Sequence, residues 1–179
     1  MAAQSTLATQ ATLVLGGARS GKSRFAQQLA DASGLRKRII VTATAGDAEM
    51  ERRIAHHRAE RAADWTTIEA PLALPEAITS AAAATHLVVV DCLTLWLANV
   101  MLAGHDVEAK SQQLTAAVAA CPYPLVLVSN EVGFGIVPDT ELGRAFRDAQ
   151  GRLNQMMAAT CAKVVLVVAG LPLQIKPQG

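Results

Sequence analysis

A short apolar run, Thr12 to Leu15, leads into Gly16-Gly17-Ala18-Arg19-Ser20-Gly21-Lys22-Ser23, and helical spacing starts at once behind it. This G-x-x-x-x-G-K-[ST] pattern, set between a strand and a helix, constrains the chain more than any other stretch. Its glycines let backbone N–H groups curl around phosphate oxygens. The start of the following helix adds partial positive charge. Lys22 is expected to reach the β- and γ-phosphates of a bound nucleotide, and the Ser23 hydroxyl to ligate Mg²⁺.

The rest of the chain alternates in the way such a loop requires. Strand-like runs are read at Arg38–Thr42, Trp65–Glu69, Leu87–Val90, Leu125–Ser129 and Val164–Ala169. Helical spacing is read at Lys22–Ala32, Asp47–Ala63, Pro75–Ala84, Leu93–Leu102, Val107–Ala120 and Asp139–Cys161. Several strands are apolar at every position, which suits strands covered on both faces. The expectation is a P-loop NTPase (RecA-like) three-layer α/β fold with a mainly parallel sheet. With 179 residues, no internal repeat and no linker, one domain is expected over 1–179, with 1–10 a flexible tail. Ligands should lie beyond the carboxyl ends of the strands, where Gly16, Thr44, Asp91 and Asn130 stand.

Composition narrows the partners. Sixteen Lys+Arg against fifteen Asp+Glu give a net charge of +1, without the basic excess of a nucleic-acid binder. Hydrophobic residues make up 51% and aromatics only 3%, so the core must be built from small aliphatic side chains. The Ala/Ser/Thr/Gln-rich start lacks the basic and apolar regions of a signal peptide. The greasiest stretch, Leu87–Ala103, holds Asp91, Thr94 and Asn99 and is short for a membrane span. A cytoplasmic protein without stable membrane insertion is expected. Cys92, Cys121 and Cys161 show no metal-binding or disulfide spacing and read as buried small side chains.

Three further places carry candidate chemistry. Asp91 ends a buried strand, where a Mg²⁺-supporting carboxylate belongs; the plainer alternative is a cap on the helix starting near Leu93. In Asp47–Ala63, Arg53, His57 and Arg61 share one helix side at a spacing of four. Such a positive field favours a neutral imidazole, and neutral imidazole can act as a nucleophile. The plainer reading is a solvated face with incidental histidines. Asn130-Glu131-Val132-Gly133-Phe134-Gly135-Ile136-Val137-Pro138 reads as a structural loop or a ligand-facing one.

Taken together, these motifs resemble the bifunctional adenosylcobinamide kinase/adenosylcobinamide-phosphate guanylyltransferase family. The resemblance runs from about Thr12 to Lys176. It rests on the phosphate loop, Ala43-Thr44-Ala45, Asp47-Ala48-Glu49-Met50, Arg53-Ile54-Ala55-His56-His57-Arg58, the strand ending at Asp91, and Asn130-Glu131-Val132-Gly133. It implies phosphorylation of the aminopropanol hydroxyl of adenosylcobinamide by ATP or GTP. It also implies transfer of GMP from GTP to that phosphate through a histidine–GMP intermediate, with release of pyrophosphate. By position the histidine is His57. The implied nucleotide contacts are Gly16 to Ser23, Ala43, Thr44, Ala45, Arg58, Ala59, Glu60, Arg61, Glu69 and Asp91, and the implied assembly is a homotrimer. Two departures stand out: only Gly46 separates Ala45 from Asp47, and Arg61-Ala62-Ala63-Asp64-Trp65 lacks the family's usual Arg-Pro pair. The rival expectations are a P-loop kinase for another small metabolite and a nucleotide-dependent switch. The second lacks the Asn-Lys-x-Asp base-selecting motif of common GTPase switches.

Overall fold

The computed structural model describes residues 11–44 and 64–177. The expected helix Asp47–Ala63, with its histidine pair, lies outside the described residues. The elements in chain order are β1 (Ala11–Gly16), α1 (Lys22–Ala32), β2 (Arg36–Val41), β3 (Trp65–Glu69), α2 (Leu74–Ala81) and β4 (His86–Asp91). They continue with α3 (Leu93–Leu102), α4 (Val107–Ala120), β5 (Leu125–Asn130), α5 (Glu141–Thr160), β6 (Lys163–Val168) and β7 (Leu171–Lys176).

The strands form one seven-stranded sheet in the order β3-β2-β4-β5-β1-β6-β7. All neighbours pair in parallel except β6 and β7. The strand that carries the phosphate loop is therefore interior, with Leu13 opposite Leu127 on one side and Val164 on the other.

The apolar-at-every-position pattern has a direct explanation. Successive residues of a strand point to opposite faces, and both faces are covered. Leu13, Ile40, Val88, Val90 and Leu127 belong to one core with α2, α3, α4 and α5. Val14, Ile39, Val89, Val126 and Val167 belong to the other, against Ala26 and Ala30 of α1. Alanine on α1 lets the helix lie close on the sheet. The largest fully buried side chain among the described residues, Trp96, lies in the first core and satisfies its indole N–H on the Leu72 carbonyl at 3.0 Å. Helix starts follow local chemistry: Asp106 accepts from the Ala109 N–H and Thr140 from the Gly143 N–H. All three cysteines are buried, as expected for small core side chains. No described helix is long and apolar enough to cross a membrane.

One strand is absent from the sequence reading, which ends at Ala169. Strand β7 returns antiparallel to β6 through the two-residue turn Ala169-Gly170, with Val168 opposite Leu171. Both turn residues have positive φ, 52° and 81°, as a type I′ hairpin demands. Ala169 is exposed, and as a non-glycine residue it bears the cost of that conformation. Ala169→Asn is expected to stabilise the fold by about 0.5–1 kcal/mol. A thermal unfolding midpoint about 1–4 °C higher would register this, and an unchanged or lower one would contradict it.

Candidate functional site

The phosphate loop is shaped by its own backbone. Arg19 has φ 55° and Gly21 φ 96°, so the chain turns twice through the left-handed region before α1 begins. A Cβ on Gly16 would overlap the Ser20 hydroxyl and stand 2.7 Å from the Val167 carbonyl. A Cβ on Gly21 would stand 3.2 Å from the Gly170 Cα. Glycine at both positions is therefore required by close packing as well as by φ at Gly21. The turn that ends β6 also grips the loop, because the Gly170 N–H donates to the Ser20 carbonyl at 2.8 Å.

Electrostatics follow from this shape. No side chain caps the start of α1, and its first turn holds no acidic residue. The positive end of the helix is thus left to an incoming anion. Lys22, largely buried, folds back so that its ammonium donates to the Gly17 carbonyl at 2.9 Å. That places a cation across the loop at which a phosphate would sit.

The other described candidates follow the carboxyl ends of neighbouring parallel strands. Ala43 and Thr44 follow β2, Glu69 ends β3 and Asp91 ends β4. Val41 is in register with both Glu69 and Asp91. Strand β5 lies between β4 and β1, so Asp91 stands about 10 Å across the sheet from the strand that feeds the loop. Ala45, His57, Arg58, Ala59, Glu60 and Arg61 lie outside the described residues.

Several residues that shape this edge were not singled out in the sequence. Thr42 is fully buried; its hydroxyl donates to the Cys92 carbonyl at 2.6 Å and accepts the Cys92 N–H at 3.0 Å. This reciprocal pair fastens the end of β2 to the turn after Asp91. The Asn99 amide then donates to the Thr42 and Pro71 carbonyls at 2.8 and 3.0 Å, tying in the segment after β3. The Cys92 thiol itself is pushed up to about 11, first by burial and then by the charge of Asp91, and stays protonated at neutral pH.

The loop after β5 is held at both ends. The Glu131 N–H donates to the Gly16 carbonyl at 3.0 Å, and the Asn130 N–H to the Thr94 hydroxyl at 2.8 Å. Beneath it, Ser129 donates to Asn154 at 2.7 Å, Gln150 donates to both, and Asn154 donates to the Asn130 carbonyl at 3.1 Å. At its far end, Arg144 donates to the Pro138 and Asp139 carbonyls at 3.0 and 2.8 Å. A spacing of four between Gln150 and Asn154, on the face that also carries Leu153 and Met157, was the available signal for this buried polar network.

Among solved structures, an ATPase from the type III secretion system of pathogenic bacteria superposes with a TM-score of 0.58 at 12% identity. It covers 92% of this chain and 56% of its own, and the likeness bears out the RecA-like fold. Curated relatives are far closer in sequence. A bifunctional adenosylcobalamin biosynthesis protein of Pseudomonas aeruginosa is 49% identical, over 92% of this chain and 96% of its own. Counterparts in Escherichia coli and Salmonella typhimurium are 41% and 40% identical, each over 92% of this chain and 98% of theirs. With residues 12–175 also matching the family's sequence model, the chain belongs to the cobinamide kinase / cobinamide phosphate guanyltransferase family.

Proposed function

We propose that this chain phosphorylates adenosylcobinamide with ATP or GTP and then transfers GMP from GTP to the new phosphate, both reactions using the loop Gly16–Ser23 of a single domain. The observation that carries this reading is the loop itself: an uncapped helix start crossed by the Lys22 ammonium, in a chain of this family.

In the first reaction the aminopropanol hydroxyl oxygen attacks the γ-phosphorus, the nucleoside diphosphate leaves and the hydroxyl proton is released. Gly16 to Ser23 orient the triphosphate with their backbone N–H groups, and Lys22 offsets charge on the transferring group. The Ser23 hydroxyl and the Asp91 carboxylate would hold Mg²⁺. Both are oxygen donors of the kind this ion takes alongside phosphate oxygens and water, and when bound it supplies further charge neutralisation. Ala43 and Thr44 after β2 and Glu69 at the end of β3 would border the nucleotide.

In the second reaction an imidazole nitrogen of His57 attacks the α-phosphorus of GTP and pyrophosphate leaves. A phosphate oxygen of adenosylcobinamide phosphate then attacks the histidine-bound GMP, and the imidazole is released. Arg53 and Arg61, four residues to either side, would keep His57 neutral before attack. Ala45, Arg58, Ala59, Glu60 and Arg61 complete the proposed nucleotide contacts. The family resemblance supports a homotrimer, and the biosynthetic chemistry supports a cytoplasmic setting without a nucleic-acid partner.

The test is a labelling experiment. Incubated with Mg²⁺ and GTP labelled at the α-phosphate, the protein should acquire a covalent label that is acid-labile and base-stable, as a phosphoramidate is. Adenosylcobinamide phosphate should discharge it. A folded protein that phosphorylates adenosylcobinamide yet never takes up label would be a kinase alone.

A further inference from the structure

The described part of the molecule leaves several large apolar side chains uncovered on the segment that follows β5, which begins at a hydrogen bond to the phosphate loop. Phe134 is 87% exposed and Ile136 97%, and Val137 and Leu142 are also exposed. Clustered exposed apolar side chains mark interaction sites. These do not dangle from a slack segment. Their loop starts at the Glu131–Gly16 hydrogen bond, rests on the Ser129–Gln150–Asn154 network, and closes on Arg144. Its apolar side chains are thus displayed by a backbone fastened at both ends, one of them at the first glycine of the phosphate loop.

We infer that this loop is the platform for the corrin ring of the substrate, with Phe134 and Ile136 as its principal apolar contacts. The inference rests on the proposed function, which requires a corrinoid at this edge. For transfer, the substrate hydroxyl oxygen must come within about 3–3.5 Å of the γ-phosphorus. The much larger macrocycle must then lie over whatever borders the phosphate loop, and the first residue past β5 is hydrogen-bonded to Gly16. Charge agrees with this occupant. From Asn130 to Gly143 the sequence holds Glu131, Asp139 and Glu141 and no Lys or Arg, and the next cation, Arg144, is engaged by the Pro138 and Asp139 carbonyls at the far end of the loop. An alkylated cobalt(III) corrin carries a net positive charge, because one ring charge and one alkyl carbanion only partly offset Co³⁺. An apolar surface with an acidic rim suits such a cation and disfavours nucleotide phosphate or an anionic membrane.

The experiment uses the full chain carrying Phe134→Ser and Ile136→Ser together. Both positions are exposed, so the fold is expected to survive, and circular dichroism checks it. The KM for adenosylcobinamide should rise at least about tenfold, the scale set by withdrawing two large side chains from an apolar contact. Equilibrium dialysis with adenosylcobinamide should weaken in parallel, while the KM for ATP stays put. Leu102→Ser, at an exposed apolar position on the far end of α3, should leave the corrinoid KM unaltered and serves as control. An unchanged corrinoid KM in the double variant overturns the inference. A fall in assembly mass by light scattering also overturns it, because the patch would then belong to a contact with a second copy. Failure of the histidine chemistry would show separately, as absence of covalent label in the unaltered protein, and dialysis would still test the platform.

Discussion

Replacing Lys22 with alanine is expected to lower both reactions together, each by at least about a hundredfold, while the fold persists. The ammonium spans the loop to the Gly17 carbonyl at 2.9 Å, beside a helix start that no side chain caps. A triphosphate bound there for either reaction meets the same cation. Alanine removes a partly desolvated charge that the phosphate would otherwise share, and leaves the backbone cradle in place. Lys22→Arg should not restore activity, because a planar guanidinium cannot occupy the compact position of an ammonium. The measurements are ATP-dependent phosphorylation of adenosylcobinamide and covalent labelling by α-labelled GTP, each read beside the thermal midpoint. Loss of one activity with the other intact would mean that two separate nucleotide sites exist.

His57→Ala should do the opposite and split the reactions. Guanylyl transfer is expected to fall by several orders of magnitude, as it does when an enzyme loses its nucleophile. Phosphorylation should continue, because the phosphate loop and Lys22 are untouched. His56→Ala serves as the paired variant and should retain labelling. This prediction comes from the sequence: Arg53 and Arg61 stand four residues either side of His57, whereas His56 falls beside Arg52 and Glu60. If the His57 variant still forms enzyme–GMP and the His56 variant does not, the two assignments exchange.

The parts of this molecule that local chemistry specifies were open to sequence reasoning. A run such as Leu87 to Val90 can only be a strand buried on two faces, and Gly16 to Ser23 can only be useful at the start of a helix. What could not be read is what depends on distant partners. Thr42 finds Cys92 fifty residues away, Asn99 reaches back 57 residues to the Thr42 carbonyl, and Ser129 meets Asn154 across 25. Each is an ordinary polar residue in its own neighbourhood, and only the fold makes it a fastener of the site. Strand β7 was missed for a different reason. Its turn has alanine where a type I′ hairpin favours asparagine or glycine, and Pro172 interrupts the strand pattern behind it. The loop after β5 was legible as a loop but not as a braced one, because its supports lie on α5 and in the phosphate loop.

The interior place of β1 bears on how the chain is made. The phosphate loop is made before its partners: β1 pairs only with β5 and β6, and the Gly170 N–H that holds Ser20 comes after both. Most of the polypeptide must be synthesised before the first strand has a neighbour on either side. The long loops that its pairing closes are those that slow folding. The segment with the strongest signature in the sequence takes its working shape only when β5, β6 and the turn at Gly170 are in place.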